Sequence, residues 1–190
     1  TWDYQSTSNE KIKLSWKTTQ QTASMVLDID KDGVDEIILA NREAAPSLIY
    51  MKYVRSVGWR EFNIDKEILP IEAGGTFYDI DGDEDKDIVF GGDGQSNKIW
   101  WWENPAPYFN PNIAWKRYEI KTDGKAQHHD QVFGDFKQTG KAQLAFWNQG
   151  EKTLYLAEIP KNPRDKTWTY EPIFSGSAGE KKSWYAEGCT

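Results

Sequence analysis

Three acidic turns beginning at Asp28, Asp79 and Asp135, four short strand-like stretches in each full interval, and the lack of a convincing amphipathic helix predict an all-β chain of four-stranded antiparallel β-propeller blades. The turns lie in "SMVLDIDKDGVDEIILA", "GTFYDIDGDEDKDIVFG" and "QVFGDFKQTGKAQLAFW", at intervals of roughly 50 residues. Apolar residues flank each one in the same register. Val26, Phe77 and Phe133 precede the turns, Ile29, Ile80 and Phe136 follow the first aspartates, and Ile37–Leu39, Ile88–Phe90 and Leu144–Phe146 close them. Short apolar runs on either side of a polar turn read as paired strands. A second landmark moves with the first: Trp59, Trp115 and Trp168 each stand five residues before an isoleucine, Ile64, Ile120 and Ile173.

The middle interval gives the clearest parse, with "GTFYDI", "KDIVFGG", "KIWWWEN" and "WKRYEI" separated by Gly, Asn, Pro and Asp. Strands recurring in blocks of four fit propeller blades better than a sandwich. The blades span approximately 22–71, 72–124 and 125–178, and residues 1–21 and 179–190 are pieces of neighbouring blades. Three to three and a half blades fall short of the four to eight of a closed ring, so a larger propeller, or other chains completing it, is expected.

Composition narrows the function classes. The net charge of −7 disfavours phosphate-backbone binding, which excludes nucleic acid as the expected partner. No apolar run approaches the roughly 20 residues of a membrane-spanning helix. The only cysteine is Cys189, so no intrachain disulfide is possible. The opening "TWDYQSTSNE" has no hydrophobic leader, as in a secreted protein after cleavage.

"DIDKDGVDEIILA" and "DIDGDEDKDIVFGG" resemble FG-GAP or VCBS repeats, the blades of integrin-α-type propellers, over roughly residues 22–190. "HHDQVFGDF", "FWNQG" and "LYLAEIPKNPR" further resemble microbial extracellular VCBS propellers that accompany carbohydrate-active modules. The resemblance implies an extracellular or periplasmic, non-catalytic module with carbohydrate as its ligand. Two alternatives stay open: a sugar lyase or dehydratase with a metal in the propeller channel, and an integrin-α-like module that binds a polypeptide.

The acidic turns carry calcium chemistry, because Ca²⁺ takes six to eight oxygens and alternate residues of a tight turn can aim carboxylates at one point. The first loop offers Asp28, Asp30, Asp32, the Val34 carbonyl and Glu36, with Gly33 at the sharp bend. The second offers Asp79, Asp81, Asp83, the Asp85 carbonyl and Asp87, with Glu84 where the pattern wants glycine. One or two Ca²⁺ ions are expected. The third loop has lost two of its carboxylates. Lys137 is expected to hold that turn by an internal ion pair.

Both histidines lie together in "QHHDQ". Blade geometry, taken from the resemblance, puts this segment on the face opposite the acidic loops, with "WNQG", "NREAAP", "GGDGQSN" and "WYAEG". His128, His129, Asp130, Gln131, Asn148 and Gln149 are therefore the candidate ligand-binding residues, with Glu43, Glu187, Trp147 and Trp184 nearby. Imidazoles beside a carboxylate can hold a transition metal. Adjacent residues of a strand, however, point to opposite faces, so at most one histidine easily faces the channel. In "IWWWEN", Trp100 and Trp102 share one face and Trp101 the other, either packing between blades or offering a platform for sugar rings. No residue is assigned a catalytic role.

Overall fold

A computed structural model describes residues 5–16, 20–165 and 167–176. Strands β1 (Gln21–Leu27), β2 (Glu36–Asn41), β3 (Leu48–Val54) and β4 (Gly58–Asp65) form one sheet. A second contains β5 (Thr76–Tyr78), β6 (Asp87–Gly91), β7 (Ile99–Glu103) and β8 (Lys116–Lys121). The third contains β9 (His128–Gly134), β10 (Gln143–Asn148), β11 (Thr153–Glu158) and β12 (Tyr170–Ser175). Each is a four-stranded antiparallel meander with the strands in chain order, and no helix occurs among the described residues. The chain is thus all-β and built of propeller-like blades. The three sheets do not close into a barrel.

Packing follows from side chains alternating across a strand. The middle blade is apolar on both faces. Ile88, Phe90, Trp100 and Trp102 pack against Ile38, Ala40, Leu48, Tyr50 and Ile64 of the first blade. Val89, Ile99 and Trp101 pack with Leu144, Phe146 and Ala157 of the third. Trp101 and Trp102 are fully buried and Trp100 nearly so, which makes them packing between blades and excludes them as a sugar platform. Burying each such ring is worth about 1.5–3 kcal/mol or more.

The tryptophan landmark is a link between blades. The Trp115 N–H donates to the Ile64 carbonyl at 2.9 Å, and the Trp168 N–H donates to the Ile120 carbonyl at 2.7 Å. Each acceptor is the isoleucine placed five residues after the preceding tryptophan. Buried Asp65 at the end of β4 accepts from Trp102 Nε1 at 2.9 Å and pairs with Arg117, both from the second blade.

The first strands of the second and third blades meet. Tyr78 of β5 stacks on Phe133 of β9 with ring centroids 4.8 Å apart, and β9 packs along both β5 and β6. The acidic turns join first to second strands. The segments entering first strands and those joining second to third lie at the other end.

Candidate functional site: acidic loops and a polar cluster shared by three blades

All three acidic loops have one scaffold. Asp28 accepts the N–H groups of Asp32 and Gly33 at 3.1 and 2.9 Å. Asp79 accepts those of Gly82, Asp83 and Glu84 at 2.8, 3.1 and 3.1 Å. Asp135 accepts those of Thr139 and Gly140 at 2.8 and 2.7 Å. The first aspartate therefore shapes the turn whether or not the other carboxylates survive. Glu36 and Asp87 repeat a second bond, each accepting at 3.0 Å from Ile29 and Ile80 respectively.

The left-handed positions recur as well. Gly33, Glu84 and Gly140 have φ of 84°, 71° and 76°, so Glu84 sits in a conformation that glycine fills in the other two loops. Its side chain is exposed. Glu84→Gly is expected to raise stability by about 0.5–1 kcal/mol, read as a higher urea midpoint at unchanged slope.

The loops differ in how their charge is balanced. Oxygens of Asp28, Asp30 and Glu36 lie within 4.8 Å of one another, as do those of Asp79, Asp81 and Asp83, so each group could converge on one ion. In the first loop a cation of the chain already stands there: Lys52 Nζ is 2.5 Å from Asp30, 2.7 Å from Asp32 and 3.1 Å from Glu36. Burial opposes the charge on Lys52, yet its donation to Asp30 and Asp32 and the ion pair with Glu36 hold the ammonium above the ordinary lysine range. Glu36 is sealed from solvent, and burial pushes its carboxyl up although Ile29 and Lys52 pull it down. The first loop thus fits a divalent ion only if Lys52 leaves.

Among the described residues, no cation reaches all three of Asp79, Asp81 and Asp83 in the second loop. Arg164, from the loop between β11 and β12, bridges Asp81 at 2.5 Å and Glu103 at 3.1 Å, and Lys31 reaches Asp85 at 2.8 Å. The Asp81 side chain is 1% exposed, and its Oδ1 is buried without a hydrogen-bond partner. Burial, then the neighbouring Asp83, raises the Asp81 carboxyl above its usual range. Asp87 is pushed up to about 7, chiefly by burial and against the N–H groups of Asn104 and Ile80. Converging carboxylates with a buried oxygen that lacks a hydrogen-bond partner, Asp81 Oδ1 here and Asp30 Oδ1 and Glu36 Oε1 in the first loop, suit a hard divalent cation. Asp79, Asp81 and Asp83 would hold it; the Asp87 oxygens already accept from Ile80 and Asn104.

Lys137 does not turn into its own loop as expected. It lies 2.6 Å from Glu158 on β11 and 2.7 Å from Glu171 on β12. Asp135 and the Gly140 bend hold the third turn without it.

The histidine segment is a joint between the second and third blades. The His128 N–H donates to the Gly92 carbonyl at 2.8 Å, and the Gln127 N–H to that of Ser96 at 3.1 Å. Close approach explains two glycines: a Cβ on Gly91 would lie 2.5 Å from the His128 carbonyl oxygen, and one on Gly74 would lie 2.4 Å from Asp130 Oδ1. Asp130 itself has φ of 39° at the bulge where β9 shifts register on β10.

The rings of the two histidines part as the strand dictates. His128 is fully buried, edge-on to Phe146 at 5.8 Å, with neither ring nitrogen hydrogen-bonded. Burial, followed by repulsion from Lys121, brings it down to about 4. Gln131 and Asn148 are also buried, tied to the carbonyls of His128 and Lys125. His129, Asp130 and Gln149 are partly exposed. Trp147 is buried and Glu43 exposed, while Trp184 and Glu187 lie outside the described residues.

His129 belongs to a cluster assembled from three blades. Arg42, just after β2, places Nη2 3.1 Å from Glu72 and Nη1 3.0 Å from Asp93 of the second blade. From the third, His129 Nε2 is 3.7 Å from Glu72, and Gln127 Nε2 is 3.4 Å from Glu72 and 3.3 Å from His129 Nε2. Arg42, Glu72, Asp93 and Gln127 were not singled out from sequence. "NREAAP" and "GGDGQSN" were placed on this face, but nothing in their composition marks which residues converge.

The chain matches no protein-family model, and no curated protein matches it.

Proposed function

We propose that the chain is a stretch of a calcium-stabilised, FG-GAP/VCBS-type extracellular propeller that binds carbohydrate on the face carrying Arg42, Glu72, Asp93, Gln127 and His129. The observation behind this reading is the cluster itself: three blades send a guanidinium, two carboxylates, an amide and an imidazole to one place on the face opposite the acidic loops. Sugar hydroxyls both donate and accept, and a mixed set of fixed donors and acceptors suits them better than a field of one sign. Arg42 and His129 keep partial exposure, so their polar atoms can meet a ligand. Calorimetric titration with a panel of neutral and acidic oligosaccharides tests the reading. Binding that weakens at least tenfold in His129→Ala with melting nearly unchanged is expected, and a similar loss of binding in Arg42→Ala together with lower melting, because buried Glu72 and Asp93 lose their cation. An affinity indifferent to both substitutions, or no binding at all, contradicts it.

The second loop supports the calcium half. An ion at about a hundred times its dissociation constant contributes about 2.7 kcal/mol, so a chelator is expected to lower the melting temperature by about 5–10 °C. Equal melting with and without the chelator would remove calcium from the reading. The lyase or dehydratase alternative, with a metal near His128 or His129, draws no specific observation to its side: His128 is buried against Phe146 and His129 lies beside Glu72 and Gln127.

A further inference from the structure

Among the described residues, one ammonium reaches three carboxylates of an acidic loop only in the first, where Lys52 meets Asp30, Asp32 and Glu36; in the second, Lys31 and Arg164 each take a single loop carboxylate, Asp85 and Asp81. The strand register shows the origin of this difference. Met51 pairs with Ile37, Trp102 with Ile88 and Ala157 with Leu144, so Lys52, Glu103 and Glu158 hold one position in successive blades. The second and third blades place a carboxylate there, and each then borrows a cation, Arg164 for Glu103 and Lys137 for Glu158. The first blade places the cation itself. Lys52 Nζ lies 2.5–3.1 Å from Asp30, Asp32 and Glu36, in the space a Ca²⁺ would need to reach the same oxygens at about 2.3–2.6 Å.

We infer that Lys52 is the resident counter-ion of the first acidic loop, holding it in shape without metal and barring a divalent cation from it. This extends the calcium reading above and does not depend on the second loop binding an ion. Two features carry it. Glu36 is fully buried, and a buried carboxylate stripped of its partner is strongly unfavourable, so the loop needs a positive charge at all times. An entering divalent ion would also have to drive the ammonium out of contact with three carboxylates and leave it close to a like charge.

Titration of the full chain with Ca²⁺ alone, on the wild type and on Lys52→Met, tests the inference. Methionine keeps much of the lysine stem and removes the charge. Lys52→Met is expected to bind one more calcium per chain than the wild type and to lose that added site when Asp30→Asn is combined with it. Without calcium it is expected to melt below the wild type, and with calcium to recover. Equal stoichiometry in the two proteins overturns the inference, as does wild-type calcium binding that disappears in Asp30→Asn. No site in the wild type and one in Lys52→Met would defeat calcium at the second loop while upholding Lys52. If Lys52→Met does not fold even with calcium, the double variant Lys52→Met/Glu36→Gln decides. It gives the loop the glutamine that the third loop carries as Gln143. Recovered folding upholds the counter-ion role, and continued failure assigns the lysine to packing and overturns it.

Discussion

Trp101→Ala is expected to cost about 3–5 kcal/mol, a large share of the roughly 5–15 kcal/mol by which a folded domain exceeds its unfolded state. Trp101 is fully buried, stacks on Tyr118 with centroids 4.7 Å apart, and packs among Ile80, Val89, Ile99, Leu144 and Phe146. No neighbour is free to collapse into the space, because the strands on either side are pinned by their own ladders. The melting temperature should fall by about 10 °C or more. Trp59, half-buried at the edge of Tyr53, supplies the comparison. Trp59→Ala should cost about a third as much, and equal losses in the two variants would contradict the packing described for the second and third blades.

Acid should act through His128. In the unfolded chain its ring titrates near 6.5, whereas in the fold burial, then Lys121, brings it down to about 4. The unfolded state therefore takes up this proton first. Its contribution is complete above pH 6.5, declines as the pH falls towards 4, and changes little below that. The loss approaches about 3 kcal/mol. Glu151 and the backbone of Asn97 and Trp147 favour the charged ring and offset only part of the penalty. His128→Leu removes the titration. Melting of wild type and variant followed from pH 7.5 to 4 should diverge below pH 6.5, with the variant losing less. Parallel curves would show that the ring is not sealed as described.

The repeat was legible because its physics is local. Asp28, Asp79 and Asp135 shape their turns through amides four and five residues away, and alternation along "IWWWE" separates Trp101 from its two neighbours. The parting of His128 and His129 follows from the same alternation. The charge balance was not legible. Arg164 reaches Asp81 from 83 residues away, and Arg42 joins Glu72 and Asp93 across 30 and 51. Such pairs exist only once blades stack. Lys52 also escaped notice, since a lysine in "YMKYV" reads as an ordinary solvated strand residue until the register places it opposite Glu36. For the same reason Lys137, adjacent to its loop in sequence, was assigned a bond that the strands beside it claim.

The links from Trp115 to Ile64 and from Trp168 to Ile120 bear on where this chain can be cut. A boundary drawn at the sequence period would sever the Ile64 carbonyl from its donor and strip Asp65 of both Trp102 and Arg117. One repeat in isolation would then end on a carbonyl and a buried carboxylate that only the following repeat completes. A pair of consecutive blades is therefore the smallest piece that keeps one such joint whole, and truncations made for expression or grafting should be planned in pairs.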